Sequence, residues 1–239
     1  MLQIKHNYIC VSSGLRRSFG GSQMLSASKT MREVGCGVIA SLDLLLYLCR
    51  FHPGCLDCSF FAKAAEDGII DEKEYDELAQ ALSRRFFPMI PKLGINGILL
   101  AGGLNLFFMR YKFPFRASWG IGKGSLFSQI EKMLKEDIPV ILSIGPNFPL
   151  FWQKNQLTFY SRDLNGTLKP SCRINAHYVT VTGIDDELLK ISSWGREYYI
   201  KRSEYLDYIL HHSGSLVSNI VKVRSIRAAD NFKENQRKI

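Results

Sequence analysis

The stretch VIASLDLLLYLC, Val38 to Cys49, constrains the fold of this chain more than any other. Ile39, Leu42, Leu45, Leu46 and Cys49 recur at three- and four-residue steps, the period of a helix with one apolar face. Asp43 is the one charged residue in the run. A membrane-crossing helix needs roughly 20 apolar residues, so this run predicts a helix inside a folded domain. Gly35-Cys36-Gly37 opens it and His52-Pro53-Gly54 closes it.

Further periodic segments follow. A short helix is expected over Ser59–Glu66, stopped at Asp67-Gly68. Asp71 is placed to cap a helix running through Arg85, with Tyr75, Leu78, Ala79, Leu82 and Phe86 on one face. Gly97–Met109 reads as a buried helix and Ser125–Glu136 as an amphipathic one capped by Ser125. Strand patterns then take over: Ile138–Ile144, Gln156–Tyr160, Ala176–Thr182, Leu188–Ser192, Arg196–Ile200 and Leu216–Val223, with a short helix at Ser203–His212. Helices first and strands second predict an α+β fold, a helical half (31–136) against an antiparallel sheet half (137–225). Residues 1–30 read as an irregular arm packed on the domain, and 226–239 as a basic tail.

Composition narrows the function classes. Of 239 residues, 46% are hydrophobic and 22% charged, which is globular and not disordered usage. The net charge of +9 permits an anionic partner, but the charge is spread out. Its densest cluster, Lys222 to Lys238, holds six Lys/Arg against Asp230 and Glu234. No nucleic-acid-binding motif accompanies it, so no nucleic-acid partner is expected. Gly120–Gly124 falls short of a phosphate-loop pattern and reads as a loop. No secretory signal stands at the N-terminus, and a cytoplasmic location is the expectation. Cys49, Cys55 and Cys58, with His52 between them, fit no standard zinc spacing and read as core or loop thiols; whether they hold metal stays open. No cofactor is expected.

Chemistry concentrates at Cys36. A helix N-terminus carries partial positive charge and free N–H groups, both of which favour thiolate. Those N–H groups can also hold an oxyanion. Alone, Cys36 reads equally as a nucleophile or as a small residue filling a helix start. A thiolate needs an imidazole. His52 stands roughly 24 Å along the same helix at 1.5 Å per residue and cannot serve. His6 lies in the arm, and His211 and His212 at a helix end. His177, which begins a strand beside a turn, is the candidate.

Together these residues resemble the papain-like cysteine peptidases. Gly35-Cys36-Gly37 with the helix behind it is similar to the nucleophile helix of the bacterial C39 and C39-like peptidases. HYVTVTGI, led by His177, is similar to their histidine strand. Ile191-Ser192-Ser193-Trp194-Gly195 resembles the papain segment that carries the residue orienting the histidine. The resemblance covers about residues 20–200. It implies a papain-like fold, with the Cys helix packed on an antiparallel sheet that carries the His.

It also implies a Cys36–His177 pair that hydrolyses peptide or isopeptide bonds, with a peptide or protein as partner. Ser192 aligns with the orienting Asn or Asp. Ser193 takes that place if the register slips by one, and Asn175 is a further substitute. The oxyanion glutamine is missing just before Cys36; Gln23 serves only if a loop intervenes, beside the N–H of Cys36. Trp194 corresponds to the tryptophan that shields the histidine, and Gly35 and Gly37 flank the nucleophile. The same fold also admits a thioester acyltransferase or a non-catalytic peptide-binding relative.

Overall fold

The computed structural model describes residues 1–56, 58–61, 69–120 and 126–226. Strands β1 (Leu2–Gln3), β2 (Cys10–Ser13) and β3 (Arg16–Arg17) precede helices α1 (Lys29–Val34) and α2 (Cys36–Phe51). Then come β4 (Ile69–Asp71), α3 (Glu72–Phe86), α4 (Gly97–Arg110), β5 (Phe115–Trp119) and α5 (Leu126–Lys135). The remainder is β6 (Val140–Ile144), β7 (Leu157–Arg162), β8 (Leu168–Ile174), β9 (His177–Ile184), β10 (Leu188–Ser193), β11 (Arg196–Lys201), α6 (Arg202–His211) and β12 (Ile220–Ser225).

The architecture is α+β. Among the described residues nine strands form one antiparallel sheet in the order β5-β12-β6-β9-β10-β11-β7-β8, with β1 added to β9. A second sheet, β3-β2-β4, is small and includes a parallel pair between β2 and β4. Every residue of α2 from Gly37 to Cys49 is buried, because β9 and β6 pack on one side and α3 and α4 on another. Its apolar run is the centre of the core. Asp71 caps α3 as expected, accepting from the Lys73 N–H at 2.9 Å, a contact of about 1 kcal/mol. No helix among the described residues is long and apolar enough to cross a membrane.

The N-terminal segment is not irregular. It contributes β1 to the large sheet, β2 and β3 to the small one, a 3-10 turn at Gln23–Leu25, and α1. Its order comes from long-range pairing, such as Leu2 with Ile184 and Cys10 with Ile69, which local periodicity does not encode. β5 and β8 also join the large sheet where no strand was expected. β8 carries Pro170 and exposed side chains at the sheet edge, a composition that reads as loop. Of the short helix expected over 59–66, residues Ser59–Phe61 form one 3-10 turn, and the rest lies outside the described residues. So do Asp67-Gly68, the Ser125 cap, 121–124 of the glycine-rich segment, and 227–239 of the basic tail.

Candidate active site

Cys36 is the first residue of α2. Gly35, at φ −82° and ψ 0°, joins α1 to α2 without breaking the helical course. A Cβ on Gly35 would lie 2.3 Å from Met31 Sδ and 2.4 Å from the Met31 carbonyl oxygen, so glycine alone fits this joint. The short α1 absorbs the residues between Gln23 and Cys36. As a result Gln23, thirteen positions upstream, lines the same cavity as Cys36. Gln23 Nε2 donates to Arg32 O at 2.8 Å, which fixes the side chain and leaves the second amide hydrogen free.

His177 lines that cavity from β9, together with Trp194 and Ser193. The space is about 10 Å³, room for one water molecule. His177 Nε2 lies 2.8 Å from Ser193 Oγ, which leaves Nδ1 as the ring's other nitrogen. The Trp194 ring stacks on the imidazole, centroids 4.5 Å apart and planes 22° apart.

Ser192 does not take the orienting position. Its hydroxyl donates instead to Phe19 O at 2.7 Å. The cause is a register shift in the β9–β10 ladder between Lys190 and Ile191. Had pairing run on unbroken from Lys190 and Gly183, Ser192 would oppose Val181 and share the face of His177. The shift sets Ile191 opposite Val181, and a one-residue slip exchanges the faces, so Ser193 meets the histidine. Asn175 is no substitute either. Ala176, at φ +51°, breaks the strand alternation between Asn175 and His177, and no hydrogen bond joins the two.

The β10–β11 hairpin is a two-residue turn, Trp194-Gly195, with φ +49° and +73°. A type I′ turn requires positive φ at both positions and favours Asn-Gly. Tryptophan in that conformation costs on the order of 1 kcal/mol. The same conformation aims its ring at His177. Gly195 also ties the turn to the N-terminal segment: Phe19 N–H donates to Gly195 O and Gly195 N–H donates to Gly21 O, both at 2.9 Å.

Electrostatics correct one expectation. Cys36 is half-buried as a residue, and desolvation of its sulfur pushes the thiol up, although the N–H groups of Tyr178, Gly37 and Cys36 itself pull it down. A helix N-terminus contributes only about 0.3–1 kcal/mol at an exposed site, and desolvation outweighs it here. Burial alone lowers His177 to about 4. Both shifts favour the neutral thiol and the neutral imidazole near pH 7.

One residue beside the cavity was visible only as a break in an apolar run. Asp43 lies two turns after Cys36 on α2 and lines the same cavity. Its carboxylate accepts from Tyr75 OH at 2.6 Å, Tyr8 OH at 3.1 Å and Gly21 N–H at 3.0 Å. Burial raises it to about 6 against the lowering by those donors. A Cβ on Gly21 would meet Tyr75 Oη at 1.9 Å, so this crossing admits only glycine. Asp43 thus pins Gly21, and with it the segment that carries Gln23. The signal in the sequence was the spacing: a lone acid seven residues after a candidate nucleophile shares its helix face.

The remaining candidates lie elsewhere. His52 caps α2 at its far end, donating from Nε2 to Asp137 O at 3.0 Å. His6 Nδ1 meets Asp137 Oδ2 at 2.7 Å. Cys49, Cys55 and Cys58 are buried in the core, with Cys49 and Cys58 hydrogen-bonded to each other. Among the described residues no group of side chains is arranged to hold a metal ion. No protein-family model, curated protein or solved structure matches this chain.

Proposed function

We propose that this chain is a papain-like cysteine peptidase that cleaves peptide or isopeptide bonds. The observation that carries the proposal is one cavity lined by Cys36 at a helix N-terminus, His177 at a strand start, and Gln23. With both groups neutral at rest, His177 acts as general base during attack. It takes the Cys36 proton as sulfur adds to the carbonyl carbon. The carbonyl oxygen becomes an oxyanion facing the Cys36 N–H and the free hydrogen of Gln23 Nε2. As the tetrahedral species collapses, imidazolium protonates the departing amine and a thioester remains. Water, deprotonated by His177, then releases the acid and restores the thiol. Ser193 and Trp194 hold the ring in place for both proton transfers.

The test is a pooled peptide digest read by mass spectrometry, with wild type and Cys36→Ala side by side. Cleavage products present with wild type and absent with Cys36→Ala support the proposal. Identical digests with both proteins refute it.

One observation favours a second reading, a non-catalytic peptide-binding relative. Ser193, not a carboxamide or carboxylate, faces His177, and nothing raises that imidazole toward the neutral range. In that case Cys36→Ala would bind peptides as wild type does, and neither would cleave them.

A further inference from the structure

A second site lies beyond the opposite end of α2. His52, which caps that helix, lines a groove of about 840 Å³ that is separate from the Cys36 cavity. At 1.5 Å per residue it stands roughly 24 Å from Cys36. The volume falls within the range of about 300–1,000 Å³ that accommodates small-molecule ligands. Phe115 and Met133, both buried, give it an apolar floor.

Its wall is cationic. Lys132 from α5 and Lys222 and Arg224 from β12 line the groove. Arg224 pairs across the β5–β12 ladder with Arg116, and Lys222 sits two residues before Arg224 on the same face. Like charges directly opposite on neighbouring strands destabilise a sheet. No carboxylate relieves them: among the described residues none of these four cations makes an ion pair. Glu136 lines the groove without pairing with any of them. A fold that tolerates a cross-strand Arg–Arg pair beside an apolar recess is arranged for a ligand that supplies the missing negative charge.

We infer that this groove binds a small amphipathic anion, with a carboxylate, sulfonate or phosphate head against Lys132, Lys222 and Arg224 and an aryl or alkyl body on Phe115 and Met133. The inference does not depend on the chemistry of Cys36. An extended nucleic acid would use the same cations, but it has no use for an apolar floor.

The probe is 1-anilinonaphthalene-8-sulfonate, titrated by fluorescence against the full chain. Its uncharged counterpart, N-phenyl-1-naphthylamine, and inorganic phosphate as competitor complete the set. Wild type should show one saturable site for the sulfonate, displaced by millimolar phosphate, and at least tenfold weaker binding of the neutral amine. Lys132→Ala/Arg224→Ala, both exposed positions, should weaken the sulfonate at least tenfold. Arg224→Glu removes a lining cation and creates a cross-strand ion pair with Arg116, so it should raise the melting temperature while weakening the sulfonate. That opposition separates a binding role from a structural one. Sulfonate affinity within twofold of wild type in both variants, or equal affinity for the neutral amine, would overturn the inference.

Discussion

Ser193 Oγ lies 2.8 Å from His177 Nε2, while the neighbouring Ser192 donates to Phe19 O on the N-terminal segment. The two serines therefore do different work. Ser193→Ala removes a neutral hydrogen bond of about 1 kcal/mol from the imidazole, which predicts a roughly fivefold fall in kcat/KM. Ser192→Ala should leave turnover near wild type and lower the melting temperature, because the segment loses an anchor. Peptide cleavage kinetics and thermal melts on the two single variants check this pair of outcomes.

Trp194 covers His177 from a strained turn position. Trp194→Gly relieves the backbone, since glycine accepts positive φ without penalty. It also admits water to the ring. Burial is what lowers His177 to about 4, so this variant should move its pKa upward toward the ordinary value near 6.5. NMR titration of the His177 ring proton in wild type and Trp194→Gly measures the shift; an unchanged titration would show that Trp194 is not the shield.

Asp43 gives a stability profile with a definite sign. Its carboxyl titrates at about 6 when folded and at 3.8 as a free side chain, so the folded state holds the proton more tightly. The slope of stability with pH is negative wherever the folded state binds more protons. This stability is fully present below pH 3.8 and is lost as pH rises through about 6, a change of roughly 3 kcal/mol. Asp43→Asn lacks the titration. Stability of wild type minus that of Asp43→Asn should fall between pH 4 and 7 in urea unfolding; a flat or rising difference would refute the assignment.

His177 contributes the opposite slope. Its folded pKa of about 4 lies below the free value of 6.5, so its stability is present above pH 6.5 and is lost as pH falls toward 4. His177→Asn should gain on wild type as the solution is acidified through that window. The acid limb of kcat/KM should fall near 4 and not near 6.5, because it reports the free enzyme's base.

The central helix and the histidine strand were legible because burial imposes its period on sequence. α2 is apolar on nearly every turn, and β9 begins at His177 beside the turn that the sequence marks. The N-terminal strands were not, since their partners lie up to 182 residues away, as with Leu2 and Ile184. Ser193 replaced Ser192 because a register shift between two strands is a property of the pair and not of either sequence. The elevated thiol of Cys36 was hidden for a related reason. A helix N-terminus can be read from Gly35-Cys36-Gly37, but the depth at which tertiary packing buries it cannot.

Desolvation favours the protonated Cys36 thiol, so under the proposed mechanism its reactivity at neutral pH passes through His177. The most direct test is the rate of Cys36 alkylation by iodoacetamide from pH 5 to 10, read by peptide mass spectrometry in wild type and His177→Asn. The account predicts at least tenfold faster alkylation of wild type at pH 7, with the two proteins converging as hydroxide replaces the imidazole at high pH. Rates within twofold of each other at every pH, following an ordinary thiol titration, would contradict a Cys36–His177 pair.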